Sequence, residues 1–592
     1  MFSPAPEQSP QDIQPIAPPC PVQRTFKELH LREQSPVVAE EISHVYGLLP
    51  ATSQILAARG FVPGEALAQY LESSPEKLMR DARLLSQDIK GLIEGVQLLG
   101  QVISEGGKIG IASDYDVDGL TGGVQIYRAL RDSGIAVTHL IPDRFQEGYG
   151  LNNRIVDDCV AQGCKLLITV DYGTKSIEPI RSAQERGLKV IVIDHHAVES
   201  PPPADVFINP LQKDCGFAEG ILCASLLAWY FVDTATEMIP KLSQFHNEQN
   251  IPYAGTGTIC DMVPLRGPNR AVAKSTLSLL PHSSHEGLIA LYKAVCSEQE
   301  VMCADISFGI GPRINAAGRM KDGNIVVELL TTDDPQRAQA LARKLTRINT
   351  QRQETEEAVK DLAIGQLQEQ SRLDLGIILA DPDFHPGVVG LAAQRIMDMY
   401  HRPTIILGKK GNDWSGSVRG IPGFHVAEMI EQLEKLGLVR GGGHVAAGGL
   451  SFAQELLDDV RDAFLANCQQ QLRGVSLTPR HVVDTSVRLS DFTPELVEEL
   501  RLFEPLGRGN EAPSFMCNGL RVIDLRLMKN AHLRVKFSDG EGEIEGVFWR
   551  LKEHPVLRIG NRVNIAARPE VNNYRGSRIQ LNLHAAEIAG EV

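Results

Sequence analysis

Three apolar runs of the chain share one design. KIGIAS (108–113) leads into Asp114, LLITV (166–170) into Asp171, and KVIVI (189–193) into Asp194. Each is short, rich in β-branched residues and apolar almost throughout, the pattern of a strand buried on both faces. Stretches of helical length, 121–134 and 175–187, separate them. Strand alternating with helix predicts a parallel α/β sheet. Ligands of such sheets bind beyond the carboxyl ends of the strands. All three runs put an acid at that edge, so the pattern predicts carboxylates that converge in space.

Farther along, residues 331–370 are polar, with charges of alternating sign and, apart from Pro335, no breaker before Gly365. This predicts one long solvated helix joining two lobes. A second α/β unit begins at GIILA (376–380), continues through PTIIL (403–407), and carries a Gly-rich turn, RGGGHVAAGG (440–449), near its end. Beyond about residue 475 the pattern becomes short alternating segments such as 533–549 and 562–571, which predicts a small antiparallel β-barrel. The expected division is therefore a disordered tail (1–23), a first α/β domain (24–330), the linker helix (331–370), a second α/β domain (371–474) and a barrel (475–592).

Composition narrows the class. Of 592 residues, 43% are hydrophobic and 22% charged, as in soluble globular chains. No apolar run approaches the roughly 18–20 residues of a membrane span. The Pro-rich, polar N-terminus lacks the basic-then-apolar order of a secretory signal, so a cytoplasmic protein with no membrane partner is expected. None of the ten cysteines forms a C-x-x-C pair, which suits reduced structural thiols rather than a zinc site. The net charge of −15 argues against indiscriminate nucleic-acid binding. Residues 520–592 nevertheless carry twelve Lys and Arg against nine Asp and Glu. A nucleic-acid surface would be local, and its binding would weaken as salt rises.

Four clusters carry the candidate chemistry. Asp114, Asp116 and Asp118 alternate directly after the first strand. Like-charged carboxylates packed this closely call for a hard cation. Asp171-Tyr172-Gly173 ends the second strand, and Asp194-His195-His196 the third. Carboxylate combined with imidazole suits manganese. Asp261-Met262-Val263-Pro264-Leu265, an Asp before an apolar Pro turn, reads alone as a helix cap and gains meaning only beside the other three.

In order and spacing these clusters resemble the motifs of the DHH phosphoesterase superfamily. RFQEGYGL (144–151), GPRINAAGRM (311–320), FHPGVVGLAAQRI (384–396) and GSVRGIPGFH (416–425) are similar to the RecJ exonuclease family in particular. GGGHVAAGG (441–449) resembles the DHH-associated domain, and EPLGRGNEAPSF (504–515) the start of an oligonucleotide-binding barrel. The resemblance spans about 40–590. It implies a parallel-sheet DHH domain, a second α/β DHH-associated domain joined by a long helix, and a C-terminal OB-fold. It implies a two-ion Mn²⁺ or Mg²⁺ site held by Asp114, Asp116, Asp118, Asp171, His195 and Asp261. Asp171, His195 and His196 would take part in catalysis. Arg419, Gly441, Gly442, Gly443 and His444 would cradle phosphate, with Arg313, Asn315, Phe145 and Tyr149 also against substrate.

The activity so implied is 5′→3′ removal of 5′-mononucleotides from single-stranded DNA in recombination and repair. Partners would be single-strand-binding protein and a recombination helicase. On the barrel, His532, Arg534, Lys536, Phe548, Trp549, Tyr574 and Arg575 mix aromatic and basic groups, as stacking and phosphate tracking require. Phe548 and Trp549 must face opposite ways, one of them inward. The chain departs from the family pattern at Tyr172, Thr174, Gly420 and the helix start 222–229. Two other readings stay open: a DHH oligoribonuclease or dinucleotide phosphodiesterase, and a non-catalytic DNA-binding scaffold.

Overall fold

The computed structural model describes residues 25–590 apart from 73, 144–146, 149, 218–219, 297–299, 321–322, 371 and 573–577. The expected tail, Phe145, Tyr149, Tyr574 and Arg575 therefore lie outside the described residues. The chain forms two compact units, one of residues 28–352 and 480–592, the other built on residues 353–479.

The first unit opens with β1 (Glu28–Leu31) and helices α1 (Pro36–Tyr46), α2 (Pro50–Ala58), α3 (Glu65–Leu71), α4 (Pro75–Ser86) and α5 (Leu92–Ser104). The α/β core follows as β2 (Lys108–Ser113), α6 (Val117–Asp132), β3 (Val137–Leu140), α7 (Asn153–Ala161), β4 (Cys164–Val170), α8 (Ile177–Glu185), β5 (Lys189–Ile193) and β6 (Val206–Ile208). Its sheet is parallel throughout, in the order β3-β2-β4-β5-β6. Alternation along the strands feeds two cores. Ile109, Ile111, Leu166, Ile168, Ile191 and Ile193 pack with α5 and α6. Leu167, Val190 and Val192 pack with Ile155, Val156, Ile180 and Ala183 of α7 and α8. The chain reverses direction at β2, so the C-terminal ends of β2 and β4 flank a switch point, where α/β sheets bind ligands.

Eight further helices follow: α9 (Ala224–Met238), α10 (Ile251–Cys260), α11 (Gly267–Leu279), α12 (Glu286–Val295), the single turn α13 (Cys303–Asp305), α14 (Gly311–Met320), α15 (Asn324–Thr331) and α16 (Pro335–Gln368). A π-helical turn at Ile306–Ile310 joins α13 to α14. The linker expected over 331–370 is α16, an unbroken 34 residues that pass from one unit to the other at Gln353.

The second unit contains β7 (Ile377–Ala380), α17 (Val389–Tyr400), β8 (Thr404–Lys410), β9 (Asp413–Arg419), α18 (Val426–Lys435), β10 (Arg440–Gly443), β11 (Ala447–Ala453) and α19 (Leu457–Gln471). Its sheet runs β10-β11-β9-β8-β7, parallel only between β7 and β8. The Gly-rich stretch is thus an edge strand and a hairpin rather than a loose turn: β10 pairs antiparallel with β11.

The chain then returns to the first unit as β12 (Arg480–Val483), β13 (Thr485–Ser486), α20 (Pro494–Glu499), β14 (Phe515–Met528), β15 (His532–Ser538), β16 (Glu543–Phe548), β17 (Arg562–Asn572) and β18 (Arg578–Ile588). Strands β14-β15-β16-β18-β17 close into a barrel through β14–β17 pairing. Its core is not made by the C-terminal segment alone. Ile42, Ile55, Leu56 and Leu67 from α1–α3 are buried in one cluster with Leu496, Phe503, Phe515, Val535, Phe537 and Ile565. Strand β1 pairs in parallel with β12.

Candidate metal centre

Asp114, Asp171 and Asp194 each follow a strand and extend its ladder by one rung. The Asp114 N–H donates to Val170 O at 3.2 Å, Asp171 N–H to Ile193 O at 3.0 Å, and Asp194 N–H to Ile208 O at 3.0 Å. The three acids therefore stand in a row at strand spacing, about 4.8 Å. Asp171 adopts φ 68°, a left-handed conformation that non-glycine residues adopt at a cost.

Asp116 is the N-cap of α6, accepting from the N–H groups of Asp118 (3.0 Å) and Gly119 (3.2 Å). The cap starts the helix at Val117, four residues before the apolar pattern suggested. Gly119 permits it: a Cβ there would lie 2.6 Å from the Asp114 nitrogen. Asp118, 1% exposed, accepts from the N–H groups of Ala224 at 2.7 Å and Ser225 at 2.8 Å, the first turn of α9. Asp261 is the C-cap of α10.

Donor atoms of Asp114, Asp116 and Asp171 lie within 4.8 Å of one another, and so do those of Asp118, His195 and Asp261, and of Asp171, His195 and His196. His195 Nε2 is 3.2 Å from Asp171 Oδ1 and 3.7 Å from both Asp118 Oδ2 and Asp261 Oδ2. Two donor sets thus meet at Asp171 and His195. Burial, reinforced by the neighbouring carboxylates, raises the pKa of Asp118 and pushes Asp171 and Asp261 well above the usual carboxylate range. Burial lowers that of His195. A clustered set of carboxylate oxygens with a neutral imidazole is suited to hard or borderline divalent cations, whose charge would relieve the repulsion.

Asp194 stays out of this cluster and organises it. Its carboxylate accepts from Thr174 N–H (3.0 Å) and Thr174 Oγ1 (2.6 Å), from the N–H groups of His195 (2.8 Å) and His196 (3.2 Å), and from His196 Nδ1 (2.7 Å). Burial opposes its charge, but these donors win and hold its pKa low. Burial likewise opposes protonation of His196, yet the bond to Asp194 raises its pKa. That bond assigns the proton to Nδ1 and turns Nε2 away from Asp194.

Residues 108–256 match the DHH family, N-terminal domain; 374–471 match the DHHA1 domain and 483–585 the RecJ OB domain. The single-stranded-DNA-specific exonuclease RecJ of Dickeya dadantii is 32% identical over 554 residues, covering 90% of this chain and 94% of its own. The chain belongs to the RecJ family. The RecJ of Haemophilus influenzae is 31% identical, over 93% of this chain and 98% of its own. The crystal structure of RecJ in complex with Mn²⁺ from Thermus thermophilus matches with a TM-score of 0.78 at 27% identity, over 95% of this chain and 80% of that one. That fold carries the parallel-sheet DHH domain, the DHHA1 domain and the OB barrel described above.

The departures from the family pattern have places in this fold. Tyr172 is buried in the core beneath α7 and α8. Thr174 supplies two of the five donors to Asp194. The 222–229 segment presents the amides that hold Asp118. Gly420 N–H donates to Ala446 O at 2.8 Å, tying β9 to the hairpin turn.

Asn315 accepts from Val117 N–H at 3.1 Å, so it braces the start of α6. Arg313 bonds Thr346 Oγ1 at 3.1 Å and Gly309 O at 2.8 Å. Arg419, Gly441, Gly442, Gly443 and His444 belong to the second unit, where β9 and the β10–β11 hairpin gather them. Gly441 and Gly443 have a steric purpose of their own: a Cβ would meet Gly449 O at 2.3 Å and Ala447 O at 2.5 Å respectively. On the barrel, Phe548 is the buried member of its pair and Trp549 is 50% exposed, its ring edge-on to His532 at 5.0 Å. Arg534 and Lys536 pair with Glu545 and Glu543, which offsets much of the local positive charge.

The segment read as the barrel's start has a second task. Arg508 O accepts from Leu265 N–H at 2.9 Å, Gly509 O from Arg266 Nε at 3.1 Å, and Met262 O lies 3.5 Å from Arg508 Nη1. Buried Arg270 adds bonds to the carbonyls of Leu502, Phe503 and Glu504. The 504–509 segment thus braces the turn that follows Asp261. No sequence signal singles out this contact.

Proposed function

We propose that this chain is a metal-dependent, single-strand-specific DNA exonuclease. One Mn²⁺ or Mg²⁺ would be held by Asp114, Asp116 and Asp171, the second by Asp118, His195 and Asp261, with Asp171 between them. The observation that carries the reading is the convergence of all six donors at one sheet edge. Bound there, two cations supply charge neutralisation and Lewis acidity for phosphodiester hydrolysis. Asp118 is aimed by two amides and Asp116 by its cap, so neither must reorganise to coordinate. His196, its Nδ1–H on Asp194 and its imidazolium form favoured by that carboxylate, would present a protonated Nε2 as a proton donor to a phosphate or leaving oxygen.

The substrate follows from the relatives, curated as single-stranded-DNA-specific exonucleases. A 5′→3′ polarity, 5′-mononucleotide products, a role in recombination and repair, a cytoplasmic location, and single-strand-binding protein and helicase partners complete the proposal on family likeness. Arg419 and the β10–β11 hairpin would contact phosphate, and Trp549 with His532 would offer a stacking edge on the barrel. A six-donor centre speaks against a non-catalytic scaffold.

End-labelled single strand, blunt duplex and 5′-tailed duplex, incubated with the protein and Mn²⁺, test the reading. Unpairing costs on average about 1.4 kcal/mol per step, so the single strand and the tail should be degraded and the blunt end spared. Blunt duplex cut as fast as single strand would overturn the selectivity, and release of label only from 3′ ends the polarity.

A further inference from the structure

The C-terminal end of α6, far from the metal centre, borders a cavity of about 230 Å³ lined by Arg128, Asp132, Lys241, Phe245, His246 and His285, among others. Ten residues separate Arg128 from Asp118, about 15 Å along the helix. The cavity floor holds an unusual group. Arg128 is 8% exposed; its Nη2 bonds Asp333 at 3.0 Å, while Nε and Nη1 have no hydrogen-bond partner among the described residues. Asp333 is itself shared, accepting from Arg131 at 3.0 Å, and its side chain is 66% exposed. A buried guanidinium that shares one solvated carboxylate is poorly compensated, because burial of charge is costly without full pairing. Beside it the buried ring of His285 packs on Tyr253, with centroids 4.6 Å apart. Lys241 and His246, both exposed, stand at the mouth.

We propose that this cavity is a second, non-catalytic anion site that takes a phosphate group, either of free phosphate or of a mononucleotide. Arginine in a partly desolvated floor and lysine at the rim is the pairing that phosphate recognition favours. The volume is below that of usual drug-sized pockets, which suits one phosphate with at most a nucleoside laid against Phe245. The mononucleotide version rests on the exonuclease reading above; the free-phosphate version does not.

Calorimetric titration of the Mg²⁺-loaded full chain with inorganic phosphate, and separately with thymidine 5′-monophosphate, tests this. The wild type should bind one equivalent more than Arg128→Gln. Lys241→Glu, an exposed change that should leave the unfolding midpoint unmoved, should weaken that equivalent at least tenfold. A difference seen with inorganic phosphate alone assigns the site to free phosphate; one seen with the nucleotide assigns it to a nucleotide phosphate. Wild type and Lys241→Glu binding both ligands with the same stoichiometry and affinity would overturn the proposal, whatever the outcome of the nuclease assay.

Discussion

Replacing Asp194 by Asn should loosen the metal centre without removing any of its six donors. The carboxylate receives five hydrogen bonds, two from Thr174 and three from the two histidines. An amide has one acceptor oxygen. If it faces the histidines, its NH₂ confronts the Thr174 N–H; the Thr174 hydroxyl can turn to accept, but the N–H cannot. One buried unsatisfied N–H costs about 1–3 kcal/mol, and each bond surviving to a neutral rather than a charged acceptor loses about 1 kcal/mol. Relief from burying a charge offsets part of this. The net expectation is about 2–4 kcal/mol, against about 1–2 kcal/mol for Thr174→Val, which removes one donor and leaves the backbone N–H in place.

The assay is urea unfolding followed by Trp229, fully buried in the core of this lobe, with Trp414 and Trp549 changed to Phe. Removing an organiser of metal ligands typically lowers metal affinity or activity 10–100-fold, so the Mn²⁺ dependence of cleavage should shift in parallel. An Asp194→Asn cost below about 1 kcal/mol, or one smaller than that of Thr174→Val, would refute the reasoning, because the charged acceptor would then not be what holds His196.

His195→Ala and Asp116→Ala should each abolish Mn²⁺-dependent cleavage of single-stranded DNA while circular dichroism stays unchanged; multiple-turnover cleavage by either would remove it from the centre. Asp118, Asp171 and Asp261 have folded pKa values above their unfolded ones, so in chelator the stability they contribute is present below about pH 4 and lost as pH rises through the folded values. The Mn²⁺-induced rise in melting temperature should therefore be larger at pH 8 than at pH 5, read by calorimetry. A chain ending at residue 479 should aggregate or bind a hydrophobic dye rather than act as a trimmed nuclease, because α1–α3 would expose the apolar faces they bury against the barrel.

What was legible in the sequence was whatever local pattern encodes. Buried strands ending in Asp114, Asp171 and Asp194 announced both the sheet and its active edge, since one apolar run both builds a strand and aims the residue after it. Long-range partners left no such trace. That Asp118 is held by amides of α9 depends on two helices meeting end to end, and nothing in the 222–229 stretch carries a charge to suggest it. The motif around Asn315 marks the position without showing that its oxygen accepts from the Val117 N–H at the first turn of α6. The Gly-rich stretch read as a turn because glycine signals turns, whereas Gly441 and Gly443 are small so that β10 can lie close against β11.

The shared core of α1–α3 and the barrel also sets the order in which the molecule can be completed. Residues 36–71 leave the ribosome well before the barrel segments that share their core, the last of which ends near residue 588. At roughly 5–20 residues per second, some 520 residues of synthesis take about 25–100 s. Over that interval Ile42, Ile55, Leu56 and Leu67 lack part or all of their shared core, and β1 has no partner until β12 has been made. The N-terminal helices can therefore complete their packing only once the barrel segments that share their core have been made.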